Sequence, residues 1–314
     1  MTMGSKKIKI ESGDEAGKAA GAAEADRAPL ARLASGTLSQ AGFPLTVGGL
    51  ERALLADFPA SDAEEWDRTG LLVGDPSRTV RGVAVALDPT VSAVKAAAAV
   101  GANVLLTHHP AFLEPPTSFK PAPSVAVEPG ACVWAAIDQG VALMNFHTAL
   151  DVSARAQRMV PGLLSLAFER VLLPLSGSPE KGYGQVCGMA GAERLTLGQL
   201  AARCTSVFAR APRVWGDFSR ELRTVVTCTG SVGGVARAAL TAGADCVVCG
   251  EIKYHEALDL SQAGLAVIDL GHDTCELPFT RVLAQAVTDA GVPEGHVAVV
   301  DQSGNWAYPE TTRV

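Results

Sequence analysis

The sequence predicts an α/β protein in which mostly parallel strands alternate with helices. Two observations predict it. Short apolar runs bounded by glycine and polar residues alternate with alanine-rich stretches of helical length. One such strand–helix–strand unit is also written twice. The first copy runs from Val80 through RGVAVALD and AVKAAAAVGANVLLTHH to His109; the second runs from Leu222 through RTVVTCTG and GVARAALTAGADCVVCGE to Glu251. A constant offset carries Arg81 onto Arg223 and Gly101 onto Gly243. Strands apolar at every position, rather than at every second one, belong to a parallel sheet covered by helices on both faces.

The echo continues downstream. GVALMNFHTALD (140–151) and GLAVIDLGHDTCE (264–276) are each an apolar strand ending in a histidine with an acid four residues on. The pairs are His147 with Asp151 and His272 with Glu276, and Gly271 is a one-residue insertion between the copies. His272 and Glu276 are expected to open one helix through DTCELPFTRVLAQAV, on a shared face at i and i+4. Two halves follow, 46–180 and 181–314, after an N-terminal tail, 1–45. That tail is polar and rich in Ala, Gly and charge, without the apolar core of a secretory signal, and is expected to be disordered.

Composition narrows the function classes. Hydrophobic residues make up 48 % of the 314, enough for a sizeable core, but aromatics are only 5 %, so that core is built from Ala, Val and Leu. A net charge of −7 argues against nucleic acid or an anionic membrane as partner. No stretch is long and apolar enough to span a bilayer. Seven cysteines, an odd number scattered through a long chain, form no disulfide framework and suit a reducing cytoplasm. Cys246 and Cys249 form a CxxC inside an apolar strand, where odd spacing places them on opposite faces; they are read as core.

In open α/β sheets ligands collect beyond the carboxyl ends of strands. His108, His109, His147, Asp151, Glu251, His272 and Glu276 all fall just after predicted strands. Neighbours on an extended chain diverge, so His108 and His109 do not easily chelate one ion, but they can serve two ions side by side. Imidazoles and carboxylates together suit Zn, Mn, Fe, Co or Ni, and a glutamate can bridge two of them. The residues thus point to a dinuclear centre of His108, His109, Asp151, His272 and Glu276. Each alone is equally a core histidine or a capping acid. His296 is expected in a surface loop. CTGSVGGV (228–235) reads as a tight glycine turn, with a phosphate cradle the lesser reading. GxxxxGK[ST], HExxH and GxSxG are all absent.

Taken together, WDRTGLLVGD (66–75), LLTHHP, HTALD, GEIKYHEAL and GHDTCE, in this order, closely resemble the family of GTP cyclohydrolase 1 type 2 homologs over roughly residues 46–300. The resemblance implies a three-layer α/β/α fold with two intertwined, pseudo-symmetric halves, toroidal homohexamers and two divalent metal ions per chain. It implies that His109 and Asp151 hold one metal, His108 and His272 the other, and that Glu276 bridges. His147 would orient Asp151 or substrate. His255 would transfer protons or be a structural histidine, with Glu251 and Lys253 as lesser candidates. The chain departs from the family pattern at Ala149, where Asn is expected, and at Asp273, where an aromatic is expected. The activity implied is metal-dependent hydrolysis by water attack on a purine nucleotide ring, with GTP as the candidate small-molecule substrate. Two other readings stay open: a metal-dependent phosphoesterase, and a non-enzymatic metal-binding or scaffold ring.

Overall fold

The computed structural model describes residues 43–121, 129–189, 191 and 194–307. The expected disordered tail therefore lies outside the described residues except for 43–45, of which Phe43 and Leu45 pack on the first core. The first half contains α1 (Val47–Asp57), β1 (Gly70–Val73), β2 (Val83–Ala86), α2 (Val91–Ala99), β3 (Val104–Thr107), α3 (Gly130–Gln139), β4 (Ala142–Asn145) and α4 (Thr148–Asp151). After α5 (Met159–Leu163) a long hairpin follows, β5 (Leu166–Leu175) and β6 (Ser178–Met189). The expected boundary at 180/181 falls inside β6. The second half contains β7 (Leu195–Thr196), α6 (Leu197–Phe208), β8 (Arg213–Trp215), β9 (Glu221–Leu222), β10 (Val225–Thr227), α7 (Val235–Thr241), β11 (Cys246–Cys249), α8 (Tyr254–Gln262), β12 (Ala266–Asp269), α9 (His272–Glu276), α10 (Phe279–Asp289) and β13 (Val297–Val299). The expected single helix after Gly271 is two, because Pro278 lacks an N–H and sits at the N-cap of α10.

Two sheets result. The first has strand order β1-β4-β3-β2-β13 and the second β5-β6-β10-β11-β12-β8, with β7 and β9 as a small separate pair. The repeated units supply the parallel cores, β2-β3-β4 and β10-β11-β12. In each sheet the third strand carries an antiparallel edge strand, β1 on β4 and β8 on β12. The halves are intertwined, since β13 returns to pair with β2 in the first sheet.

The parallel core of each sheet is buried on both faces. Val83, Val85, Val104 and Leu106 point to a core shared with α1 and α10, while Ala84, Ala86 and Leu105 point to one shared with α2 and α3. In the second sheet Cys246 and Val248 face the core under α6, and Val247 and Cys249 face that under α7 and α8. The two CxxC thiols therefore lie on opposite faces, both fully buried. Three layers follow from the period-two geometry of strands whose every position is apolar.

The correspondence between halves extends into segments that the sequence reading left unmatched. LTVGGL (45–50) and LTLGQL (195–200) open α1 and α6, with Thr46 and Thr196 as N-caps accepting from Gly49 N and Gln199 N at 3.0 and 3.2 Å. GDPSR (74–78) and GDFSR (216–220) make the same turn: Asp75 accepts from the N–H and hydroxyl of Ser77, and Asp217 from those of Ser219. Gly74 and Gly216, at φ +132° and +131°, each lie against an alanine of the third strand, Ala142 and Ala266.

His296 departs from expectation. It is buried, its Nδ1 lies 2.8 Å from the Arg81 carbonyl, and its ring meets Phe43 edge-on. The turn before β13 folds against the start of β2, and an imidazole there satisfies a carbonyl that would otherwise be buried without a partner. Both threonines accept from an N3 N–H, and Thr196 also closes a capping box with Gln199, so Thr46→Ala and Thr196→Ala should each lower unfolding free energy by about 1 kcal/mol. In urea titrations both midpoints should fall with unchanged slopes.

Candidate metal centre

The carboxyl ends of both parallel cores meet at one place. From the first sheet come Asp88 after β2, His108 and His109 after β3, and His147 and Asp151 after β4. From the second come Thr229 and Gly230 after β10, Glu251 after β11, and His272 and Glu276 after β12.

The paired histidines are held as an extension of the sheet. His108 N and His109 N donate to Ala86 and Leu87 carbonyls, continuing the β2–β3 ladder, and Thr107 Oγ1 donates to the His109 carbonyl. Pro110 favours extended backbone at His109. Alternation then sends His108 to the face of Val104 and Leu106, where its ring packs on Phe279 with centroids 4.8 Å apart. His108 is fully buried and its Nδ1 donates to the Phe146 carbonyl at 3.1 Å. His109 goes the other way: its Nδ1 pairs with Asp88 Oδ1 at 2.7 Å and its Nε2 with Glu276 Oε2 at 3.0 Å.

Glu276 is the meeting point. Nearly buried, it takes His109 Nε2 and His272 Nε2 on Oε2 at 3.0 and 3.1 Å, while its Oε1 stands 3.7 Å from His108 Nε2. Asp151 Oδ1 is 3.8 Å from the same His108 nitrogen and accepts from Thr229 Oγ1 at 3.1 Å. Glu251 Oε1 lies 3.2 Å from His272 Nδ1. Gly230, at φ +58°, lets the carboxylate in: a Cβ there would sit 2.6 Å from Glu276 Oε1. The glycine turn is thus more than a chain reversal.

Electrostatics follow from this crowding. Burial raises the Glu276 pKa, but the facing imidazoles of His108, His109 and His272 outweigh it and hold the carboxyl well below its usual range. Burial and the Glu276 charge push Asp151 up, against the pull of His108. For His109 burial opposes the charge, yet hydrogen bonds to Asp88 and Glu276 raise it to about 10. His272 rises to about 9, chiefly through its hydrogen bond to Glu276. The raised values of His109 and His272 and the lowered value of Glu276 thus share one cause, the Glu276 carboxylate packed against both rings.

These side chains fit a divalent cation. His108, Asp151 and Glu276 form one group, and His109, His272 and Glu276 another, whose ligand atoms lie within 4.8 Å of one another; His108, His109 and His147 form a third. His108 Nε2 is among the few buried side-chain atoms of the described residues without a hydrogen-bond partner. Its 3.7–3.8 Å separation from two carboxylates is too long for a hydrogen bond. It is within the span of two ligand bonds of roughly 2.0–2.2 Å to one ion. In these groups His108 stands with Asp151 and His109 with His272, where the resemblance implied His109 with Asp151 and His108 with His272. The opposite directions of neighbouring strand side chains decide this.

His147 adjoins the cluster, with its ring 5.2 Å from that of His108 and 5.5 Å from that of His109. Its Nδ1 meets Asp67 Oδ1 at 3.0 Å, while Asp67 Oδ2 accepts from Thr148 N at 2.9 Å and from the Thr148 hydroxyl. Its carbonyl accepts from Asp151 N at 3.1 Å, while its ring is turned to Asp67 rather than to the Asp151 carboxylate. His255 is not brought to the cluster; it is exposed on the first turn of α8 beside Tyr254. Lys253, the N-cap of α8, is exposed too. Of the departures, Ala149 is buried, and Asp273 accepts from Arg210 at 2.8 Å and Trp306 Nε1 at 3.0 Å.

Sequence reasoning left Asp67, Asp88 and Gln302 without roles. Asp67 stands inside WDRTGLLVGD, and Asp88 follows the first strand of the first repeat copy, but its counterpart Gly230 bears no acid and the repeat gives no flag. Gln302 accepts from Leu87 N and Asp88 N, both at 2.8 Å, and donates to the Asp88 carbonyl at 3.0 Å. Nothing local signals a partner more than two hundred residues away.

A family model described as Duf34/NIF3 (NGG1p interacting factor 3) matches residues 45–303. A Streptomyces coelicolor protein named GTP cyclohydrolase 1 type 2 homolog is 30 % identical over 269 residues, covering 83 % of this chain and 92 % of its own. A Clostridium acetobutylicum protein of the same name is 27 % identical, covering 76 % and 88 %. Among solved structures, a Staphylococcus aureus hypothetical protein, SA1388, superposes with TM-score 0.73 at 24 % identity, over 85 % of this chain and all of that one. A Bacillus cereus protein related to NIF3 gives 0.72 at 20 % identity, over 82 % and 96 %. At such identities the structural likeness speaks for the fold.

Two outcomes test this geometry. Gly230→Ala should drive a Cβ into Glu276 and strip metal from the protein, while Gly234→Ala, where a Cβ meets nothing within 4 Å, should leave content unchanged; elemental analysis of both decides. Asp67 bears on acid stability. Burial raises its pKa, but hydrogen bonds from His147 and Thr148 bring it from 3.8 to about 2. A folded value below the unfolded one means stability present above roughly pH 4 and lost as pH falls towards 2. Asp67→Asn should remove about 2 kcal/mol at neutral pH and flatten the acid limb between those values.

Proposed function

The chain belongs to the Duf34/NIF3 family, and on that premise we propose that it is a hydrolase dependent on two divalent metal ions, acting by water attack on a purine nucleotide ring. The observation that carries this reading is His108 Nε2, buried, without a hydrogen-bond partner and facing the carboxylates of Asp151 and Glu276. A buried nitrogen left so is costly unless something with positive charge joins it to those oxygens. His108, Asp151 and Glu276 would hold one ion, and His109, His272 and Glu276 the other. When bound, such a pair would lower the pKa of water and polarise the atom under attack.

The chain's own groups do the rest. Asp88 accepts from His109 Nδ1 and so turns Nε2 towards the centre. Glu251 does the same for His272, and the Phe146 carbonyl for His108. Asp67 occupies His147 Nδ1, which leaves Nε2 to take a proton from the attacking water and return it to the leaving group. His147, rather than the exposed His255, is the proton carrier in this scheme.

Localisation and assembly belong to the same proposal. All seven cysteines are free and buried, as suits a reducing cytoplasm, and no helix among the described residues is long and apolar enough to cross a membrane. A toroidal homohexamer would run in light scattering at about six times the chain mass of 32.3 kDa.

Purified protein should carry about two metals per chain and release formate from GTP. Glu276→Ala should lose both metal and formate, and Asp88→Asn should weaken metal affinity about 10–100-fold. Metal retained without formate would turn the search to phosphoesters or metal handling. Absence of metal under every loading condition would end the reading.

A further inference from the structure

Trp66 is exposed by 57 %, the largest side chain standing open near the centre. A single exposed aromatic is ordinary by itself. This one is not loosely placed. Its neighbour Asp67 is locked to His147 and Thr148, Asp67 N donates to the Glu64 carbonyl at 3.0 Å, and Glu64 N donates to Thr148 Oγ1 at 3.0 Å. On the other side Arg68 Nε donates to the Leu113 carbonyl at 2.9 Å. A short loop is thus pinned on both flanks of an indole that buries little.

The indole meets His147 edge-on, with centroids 5.8 Å apart and planes at 71°. His147 in turn contacts the rings of His108 and His109. Trp66 therefore stands two ring contacts from the buried ligands, with most of its surface free, as a flat apolar wall beside a pocket of acids and imidazoles. Within that pocket the imidazole rings of His108, His109 and His272 are turned to carboxylates, so the exposed indole offers the broadest free aromatic face beside it. From this we infer that Trp66 is the stacking platform for a planar heteroaromatic ring of the substrate. The ring is held against the indole while the atom to be attacked reaches the cluster. The inference rests on the proposed function for the location of the reacting atom. It adds the residue that recognises the nucleobase ring of that substrate.

The test is binding rather than turnover. Metal-loaded full-length protein is titrated calorimetrically with guanosine 5′-monophosphate and, separately, with inorganic tripolyphosphate, which has no ring. Wild type is compared with Trp66→Leu, Trp66→Phe and, as a control on α3, the exposed Trp134→Phe. Trp66→Leu should raise the nucleotide Kd about tenfold and leave tripolyphosphate unchanged, as expected for a lost base–aromatic stack. Trp66→Phe should recover to within about twofold, and Trp134→Phe should match wild type. Equal nucleotide binding by wild type and Trp66→Leu would overturn the inference. So would equal weakening of both ligands, or no nucleotide binding by wild type. Trp66-dependent nucleotide binding without formate release from GTP would keep the platform and remove the cyclohydrolase reading. Formate release with KM unmoved by Trp66→Leu would do the opposite.

Discussion

The structure turns on a buried carboxylate that cannot stand alone. Glu276 is taken out of water at the end of α9, just beyond β12, and a lone charge there would be prohibitively costly. Three imidazoles face it, two of them from the other half of the chain. Each imidazole is itself aimed by a second acceptor: Phe146 O, Asp88 or Glu251. Removing any one leaves a charge or a polar atom stranded, so the two sheets must meet at this point and in this register.

The chain's last described segment reinforces both sides of that meeting. Gln302 grips the backbone of Leu87 and Asp88, and Asp88 aims His109. Four residues on, Trp306 donates to Asp273, beside His272, and lies under the Arg210 guanidinium at 4.0 Å. Arg210 also holds Asp273, Thr274 and the Ser303 carbonyl. Asp273, out of place against the family pattern, thus serves a local network.

Much of the site was legible because it obeys strand geometry. An apolar run that ends in histidine and acid, twice over, places chemistry at the carboxyl edge of a sheet without any knowledge of contacts. Asp151 and Glu276 could be named for that reason. The division of ligands between the two groups was not legible. The family resemblance implied His109 with Asp151, whereas the alternating directions of β3 bring His108 beside Asp151. His296 read as a loop residue because a single histidine after glycine carries no period. His255 drew attention by its motif, yet the first turn of α8 carries it into solvent.

Sequence alone determined the α/β class, the doubled strand–helix–strand unit and the ligand types, since each rests on periodicity and on residues adjacent in the chain. Tertiary structure alone decided which ligands share a group, that Gln302 steadies Asp88, that Gly230 makes room for Glu276, and that Trp66 stands beside His147. The first depends on how the carboxyl ends of the two parallel cores are brought together, and the others on how loops pack over strand ends. Such contacts join residues far apart along the chain, and local pattern carries no record of them.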